Sequence, residues 1–263
     1  MCRLFAYRKL RNDPKQLPEL LVAFRDLAEH GKVIDPADPG HKSGWGIVGY
    51  RDQARVCECR LPTDASTDPE FLRAMDELVA CAPDAVIAHL RKATCGEPSV
   101  ANTHPFVVGA WSMGHNGNAG PIAAPCYEAI SSLCKGENDS ERYMQLFLRM
   151  LGTSDAVADT ERVLSALTRT IATIRREADP TSLSAVLTDG THIYVLRAFT
   201  PERVRLADEY YTLFLGRTSG GAVVAACSEP LGGELSWELL SNDTVAIFDV
   251  KTGSVSVQPL PTA

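Results

Sequence analysis

The last third of the chain carries three short glycine-containing turns, each lying between two stretches rich in apolar and β-branched residues. Stretches of this kind on either side of a tight turn predict antiparallel β-hairpins. The region therefore predicts antiparallel sheet. The three turns are Asp189-Gly190-Thr191, Ser219-Gly220-Gly221 and Lys251-Thr252-Gly253.

The first two thirds alternate between predicted strands and amphipathic helices. Apolar residues recur at helical spacing after Pro18, after Pro69, after Asp139 and from Asp159 or Thr160 to about Arg176. Long helices bracketed by antiparallel hairpins predict two sheets with helices outside them. We expect one domain over residues 1–263, with its core at about 2–230 and a C-terminal hairpin after it. The predicted strands of this part cover residues 2–8, 45–50, 85–90 and 107–115, and 91–105 is a polar loop.

The composition narrows the class of protein. Apolar residues make up 45% and charged residues 22% of 263, which is close to the average of globular domains and argues against disorder. The net charge of −7 and the lack of a Lys/Arg-rich run predict no nucleic-acid partner. Apolar stretches are too short for a membrane span or for a signal peptide, so we expect a cytoplasmic protein. The eight cysteines include no CxxC pair, and we expect no metal site.

Cys2 is the first candidate catalytic residue. A small residue at this position generally permits removal of Met1, which would leave an α-amine and a thiol on one residue. The amine has an ordinary pKa near 7.7–8.0 and can act as a base at neutral pH, while the thiol is a capable nucleophile. One residue would then supply both nucleophile and base. Taken by itself, a cysteine at position 2 is better explained by chance.

Two further segments of the sequence support a catalytic role for Cys2. Residues 89–106 are HLRKATCGEPSVANTHPF, and residues 111–117 are WSMGHNG. With Cys2, they resemble the class II (N-terminal nucleophile) glutamine amidotransferases, which have H-x-R-x-A-T-x-G, N-x-H-P and H-N-G motifs. Gly44-Trp45-Gly46 and Asp139-Ser140-Glu141 also stand at positions similar to those of the family. The resemblance covers about residues 2–230, and several ordered motifs are far more specific than one short pattern.

The resemblance implies a set of roles. Arg91 would bind the α-carboxylate of glutamine, since a guanidinium binds a carboxylate bidentately, and Asp139 would bind its α-ammonium. Thr94 and His104 would line the same pocket. The oxyanion of the tetrahedral intermediate would accept from the Asn116 side-chain amide and the Gly117 N–H. The resemblance also implies the four-layer αββα sandwich of the Ntn hydrolases, an α+β fold.

Each of these residues has a plainer interpretation when it is taken alone. Arg91 could be a surface charge at a strand end, and Asp139 could be only a helix N-cap. His104 before a proline could shape a turn, and Asn116-Gly117 is a favoured pair for a simple hairpin. Taken together with Cys2 they favour the catalytic interpretation, because a site is judged by the joint roles of its residues. We expect His115 to support its turn without acid–base work.

Two departures from the better-known synthases leave the substrate open. The chain has Lys92 where those enzymes commonly have Trp, and residues 40–45 (GHKSGW) replace an R-G-x-D-S type segment. This resembles the free-standing bacterial proteins of the family, some of which hydrolyse γ-glutamyl amides in thiol metabolism. Only about thirty residues follow Ser228-Glu229-Pro230, and they hold no phosphate loop. We therefore expect amide hydrolysis, or transfer of ammonia to a separate partner subunit.

The sequence thus predicts an amidohydrolase that acts on a small molecule, glutamine or a γ-glutamyl amide, through a thioester on Cys2 and without metal or organic cofactor. A hydrolase of larger γ-glutamyl amides would bind the glutamyl end in the same way. A non-catalytic subunit that binds glutamine or a partner is the alternative from another class. An intact Cys2, Asn116 and Gly117 argue against that alternative.

Overall fold

Two antiparallel sheets face each other and each carries a pair of helices on its outer side. The computed structural model describes residues 2–10, 16–203 and 207–261. The helices are α1 (Gln16–His30), α2 (Pro69–Ala80), α3 (Asp139–Leu151), α4 (Thr160–Glu177) and the short α5 (Ala207–Tyr210). The strands are β1 (Arg3–Arg8), β2 (Gly44–Arg51), β3 (Ala54–Leu61), β4 (Ala85–Arg91), β5 (Phe106–Val108), β6 (Trp111–Asn116), β7 (Ser184–Thr188), β8 (His192–Arg197), β9 (Phe214–Arg217), β10 (Val223–Cys227), β11 (Ser236–Leu239), β12 (Thr244–Asp249) and β13 (Val255–Pro259).

The order of the strands places the N-terminus of the chain in the middle of the molecule. The first sheet has the order β11-β9-β10-β1-β4-β2-β3, so β1 is its central strand. The second sheet has the order β13-β12-β8-β7-β6-β5. Neighbouring strands pair antiparallel throughout both sheets among the described residues.

Three apolar clusters hold the four layers together. One lies between α1, α2 and the first sheet and includes Phe24 and Phe71. A second lies between the second sheet and α3 and α4, around Trp111 and Phe147. The third lies between the two sheets and includes Leu4, Ile87 and Val186. The four-layer αββα arrangement that the resemblance implies is confirmed.

The alternation of side chains along β1 and β4 decides which residues face the second sheet. Leu4 and Ala6 of β1 belong to the cluster between the sheets, while Phe5 and Tyr7 face α1 and α2. The same period of two puts Cys2 on the inner face of the sheet. Along β4 this period places Ile87, His89 and Arg91 on the inner face.

The predicted strand 107–115 is wrong as a single element. The structure divides it into β5 and β6, which pair antiparallel with Phe106 opposite Met113 and Val108 opposite Trp111. The chain reverses at Gly109-Ala110, where the Ala110 N–H donates to the Ser154 carbonyl at 2.8 Å. That contact comes from a distant loop, so the local apolar pattern did not indicate the turn. The three predicted hairpins and the four predicted helices are present, with boundaries shifted by a few residues.

Within the described ranges, the chain has no helix that is both long and apolar enough to cross a membrane.

Candidate active site

The candidate nucleophile lies where the two sheets meet. Arg3 is opposite Leu90 in the pairing of β1 with β4, so Cys2 and Arg91 are the next residues at the same end of that pair. From the second sheet, β6 approaches β1 closely: a Cβ built on Gly114 would be 3.1 Å from Leu4 Cδ2. Two strands of one sheet and one of the other thus bring Cys2, Arg91 and Asn116 to one place.

Asn116 contacts Cys2 directly. The Cys2 backbone nitrogen donates to Asn116 Oδ1 at 2.8 Å, in a buried position. The Asn116 Nδ2 is also buried and has no hydrogen-bond partner among the described residues. A buried amide group without a partner is costly unless something binds it, so this donor is suited to an oxygen of a ligand. Met1, whose removal would free the Cys2 amine, lies outside the described residues.

The turn after Asn116 is not a simple hairpin. The Asn116-Gly117 pair ends β6, and the next strand that pairs with β6 is β7, which begins only at Ser184. Gly117 has φ +152°, and a Cβ there would clash with the Ser182 carbonyl oxygen. Only glycine fits this close approach of two backbones. The plain hairpin interpretation of this pair is therefore wrong.

Arg91 is buried and only half satisfied. Its Nη2 donates to the carbonyl oxygens of Cys95 (2.7 Å) and Gly96 (3.0 Å), which holds the guanidinium against the loop after β4. Its Nη1 is buried and has no partner among the described residues. Among the residues that the structure describes, no carboxylate forms an ion pair with Arg91. The interpretation as a surface charge is wrong, and an anionic ligand group would satisfy this cation.

Asp139 is the first residue of α3, but it does not cap the helix. Asn138 is the N-cap, and its side chain accepts from the Ser140 N–H at 2.9 Å. The buried Asp139 carboxylate instead accepts from the Ala119 N–H through Oδ2 at 2.6 Å, and the Cys95 thiol lies 3.7 Å from its Oδ1. Burial, followed by the Asp139 charge, raises the pKa of Cys95, so this thiol stays protonated. The cap interpretation of Asp139 is wrong.

His104 is buried and neutral. Its ring stacks on that of His89 with centroids 4.1 Å apart, and neither of its ring nitrogens has a hydrogen-bond partner among the described residues. Burial, with His89 next in importance, lowers the pKa of His104 well below its usual value. Burial also lowers the pKa of His89 to about 3. Thr94, by contrast, is exposed on the loop three residues after Arg91, and no hydrogen bond joins it to the other candidate residues described.

His115 faces away from Cys2. It lies between Gly114 and Asn116 on β6 and therefore points to the helical side, where its ring meets Tyr143 edge-on at 5.3 Å. Its ring nitrogens contact Ser140 Oγ (2.8 Å) and the Ser182 carbonyl (2.9 Å). The nitrogen that faces the carbonyl must donate, and the Ser140 hydroxyl can donate to the other nitrogen, so the two contacts suit a neutral ring. Burial lowers the pKa of His115 accordingly.

Arg3 is a residue that the sequence patterns did not single out. Its buried guanidinium donates from Nη1 to the Cys2 carbonyl (2.9 Å) and pairs through Nε with Glu229 (2.6 Å). It also donates to the Lys32 carbonyl and lies over the Tyr210 ring at 4.6 Å. These contacts fix the backbone of the candidate nucleophile. The only sequence signal was its position beside Cys2, which carries no spacing rule.

Lys92 occupies the position where the better-known synthases have Trp. Its Nζ lies 2.8 Å from the Asp38 carboxylate and donates to the carbonyl oxygens of Asp38 (2.6 Å) and Gly40 (3.1 Å). Its own carbonyl lies 3.8 Å from Cys2 Sγ. Lys92 therefore joins the turn-rich segment 35–44 to the rim of the candidate site. Cys2 lies next to this rim and has only 8% of its surface exposed.

Comparison with known proteins gives a family and a fold. Residues 1–258 match the model of the family described as glutamine amidotransferases class-II. The chain is 26% identical over 239 residues to Escherichia coli (strain K12) YafJ, a provisionally named glutamine amidotransferase, covering 84% of this chain and 88% of that protein.

The solved structures that resemble the chain share its fold at low identity. A glutamine aminotransferase class-II domain protein from Silicibacter pomeroyi superposes with a TM-score of 0.61 at 18% identity, over 98% of this chain and 99% of that one. Glutamine phosphoribosylpyrophosphate amidotransferase from Bacillus subtilis gives a TM-score of 0.65 at 15% identity, over 100% of this chain and 50% of that one. The Ntn-type sandwich is therefore shown, and this chain spans about half the length of the second enzyme.

Proposed function

Because this chain belongs to the class II glutamine amidotransferases, we propose that it hydrolyses the side-chain amide of glutamine with Cys2 as nucleophile. The observation that carries the proposal is the contact of Cys2 with Asn116. One end of the Asn116 amide accepts from the Cys2 nitrogen, and the other end is a buried donor with no partner among the described residues. A donor beside a nucleophile is what a developing oxyanion requires.

The reaction proceeds by acyl transfer once Met1 has been removed. The free Cys2 amine takes the proton of its own thiol, and the thiolate attacks the δ-carbonyl carbon of glutamine. Asn116 Nδ2 and the Gly117 N–H donate to the oxyanion that forms. The carbon–nitrogen bond then breaks, and the Cys2 ammonium gives its proton to the leaving amine, which departs as ammonia. Water hydrolyses the γ-glutamyl thioester, which releases glutamate and restores the thiol.

The charged ends of glutamine meet the other side of the site. Arg91 binds the α-carboxylate through Nη1, the guanidinium nitrogen that has no partner in the described part of the chain, and Asp139 binds the α-ammonium. His104 stays neutral and lines the pocket as a flat ring, with Thr94 at the rim. Positioning the substrate at both ends turns attack by Cys2 into an intramolecular step.

The first experiment is covalent labelling with 6-diazo-5-oxo-L-norleucine, a reactive glutamine mimic, followed by intact mass and peptide mapping. We expect one adduct, on Cys2, in a chain that lacks Met1. Cys95→Ala is the matched control because Cys95 is the thiol beside Asp139, and it should still be labelled. Cys2→Ala should not be labelled and should lose glutaminase turnover with its fold intact. A Met1-free chain without the adduct would overturn the proposal in favour of a binding subunit.

A further inference from the structure

A cavity of about 890 Å³ lies on the outer flank of the second sheet, and none of the candidate catalytic residues lines it. Its walls are the edge strand β5, the helix α3 and the 3-10 helix Pro125–Leu133. Cavities of about 300–1,000 Å³ are typical of small-molecule sites. The volume is therefore sufficient for a ligand of its own.

Two long-range hydrogen bonds join the segments around this cavity. Asn102 Oδ1 accepts from the Glu137 N–H at 2.9 Å and joins the segment before β5 to the segment before α3. The Ala110 N–H donates to the Ser154 carbonyl at 2.8 Å and joins the turn after β5 to the loop after α3. The walls of the cavity are thus held together from both sequence directions.

The walls are largely apolar. Leu133 and Val100 lie at the rim with 55% and 46% of their surface exposed, and they are among the few large apolar residues exposed in the described part of the chain. Exposed apolar residues that gather at the mouth of a cavity mark a binding surface more often than isolated ones do. The other apolar side chains of the walls are Phe106, Val107, Val108, Ile130 and Leu148.

The charge of the lining is positive in a chain whose net charge is −7. Lys135, Arg149 and Arg60 line the cavity, and Arg60 is paired with Glu58 at 2.9 Å. Lys135 and Arg149 have no ion pair among the described residues.

Glu141, the single acidic residue of the lining, offsets only one of these three cations. Both carboxylate oxygens of Glu141 accept backbone N–H groups, of Lys135 and Gly136, at 2.8 Å each. The carboxylate is thus already engaged within the wall. Two cations at the surface of an apolar cavity favour a negatively charged ligand.

From this combination we propose that the cavity is a second binding site, separate from Cys2, for a small organic anion with an apolar body. The apolar walls bind the body, and Lys135 and Arg149 bind a carboxylate, sulfonate or phosphate group. The site requires no nucleophile, and its occupancy does not depend on the proposed glutaminase reaction.

The test compares two fluorescent probes that differ by one charged group, 8-anilino-1-naphthalenesulfonate and the neutral N-phenyl-1-naphthylamine. The Lys135→Ala/Arg149→Ala double variant should weaken binding of the sulfonate about fivefold, the range of two exposed ion pairs. It should leave binding of the neutral probe unchanged. Val108→Trp, which fills the cavity and keeps both cations, should weaken binding of both probes.

The matched control is Arg51→Ala/Lys251→Ala, which removes two exposed cations from other surfaces and should bind both probes as the unmodified chain does. Far-ultraviolet circular dichroism and thermal unfolding ensure that every variant compared is folded. Equal affinity of the sulfonate for the two double variants would overturn the anion site. Unchanged binding of both probes to a folded Val108→Trp variant would place the probes elsewhere and overturn the cavity site as well.

Discussion

The two ends of the candidate site are built from different kinds of structure. Cys2 directly precedes β1 of the first sheet and Asn116 ends β6 of the second sheet, so the packing of the two sheets fixes the distance between them. Arg91 and Asp139 are also anchored in a strand and a helix, but their charged groups are held by loop backbone, at Cys95 and Gly96 and at Ala119. Under the proposed function, the sheets would set the reaction geometry, whereas the loops would set substrate recognition.

The strand end of the site should control turnover. Asn116→Ala removes the proposed oxyanion donor, and we expect kcat to fall about 10²–10³-fold with little change in KM. Asn116→Asp is a second variant, which keeps an oxygen that faces the Cys2 nitrogen but replaces the Nδ2 donor by an acceptor and adds a negative charge beside the oxyanion. It should lose at least as large a factor in steady-state glutaminase assays. Full activity in Asn116→Asp would mean that Asn116 does not bind the oxyanion. The proposal that the strand end controls turnover would then fail.

The loop end of the site should control substrate capture. Arg91→Lys keeps a positive charge but cannot hold two loop carbonyls and a carboxylate together, so we expect KM for glutamine to rise about tenfold or more, with kcat changing less. Initial rates over a range of glutamine concentrations separate the two constants. Arg60→Lys is the control, since Arg60 is a partly buried arginine outside the site that also donates to a loop carbonyl, that of Thr103. A loss of kcat at unchanged KM in Arg91→Lys would contradict the proposal that the loop end controls substrate capture.

How much of the site could be predicted follows a different division, between short motifs and long-range contacts. Cys2, Arg91 and His115-Asn116-Gly117 were singled out from the sequence because short ordered motifs carry them. The contacts that hold the site were not predicted: nothing in the sequence indicates that Asp139 accepts from the Ala119 N–H or that Arg3 donates to the Cys2 carbonyl. Those contacts join residues far apart in the chain, and local propensity carries no information on them.

The errors in the fold have two causes. The break of 107–115 into β5 and β6 depends on Ser154, which is some forty residues away. The edge strand β11 (Ser236–Leu239) was also missed, because its residues are mostly exposed and lack the alternation that marks a half-buried strand. Elements that bury one regular face were predicted, whereas a turn set by a distant contact and an exposed edge strand were not.

His104 connects the two ends, since it is carried by the loop but stacks on His89 of β4. Both rings are neutral in the folded chain because burial lowers the pKa of each below the ordinary 6.5. Below about pH 6.5 the unfolded chain takes up protons on these residues and the folded chain does not. The free energy of unfolding is therefore highest above that pH and falls below it, by roughly 1.4 kcal/mol per pH unit at most for each ring.

His104→Phe should keep the stacking and remove one of these titrations. Urea unfolding at pH 7, 5.5 and 4.5 should then show a shallower loss of unfolding free energy than in the unmodified chain. His30→Phe, at an exposed histidine in the last turn of α1, is the control and should leave the slope unchanged. Equal slopes in all three proteins would mean that His104 is not held neutral by the fold.

The smallest effect is expected at the start of α3, where a structural residue and a recognition residue are neighbours. Asn138→Ala removes the helix cap and should lower the free energy of unfolding by about 1 kcal/mol, with glutaminase KM nearly unchanged. Asp139→Asn keeps an oxygen that can accept from the Ala119 N–H but removes the charge proposed to bind the α-ammonium. It should weaken capture of glutamine but not of glutaramate, which has the carboxylate and the amide but no ammonium. Equal losses for both substrates would assign Asp139 to the support of the loop, and recognition would then depend on Arg91 alone.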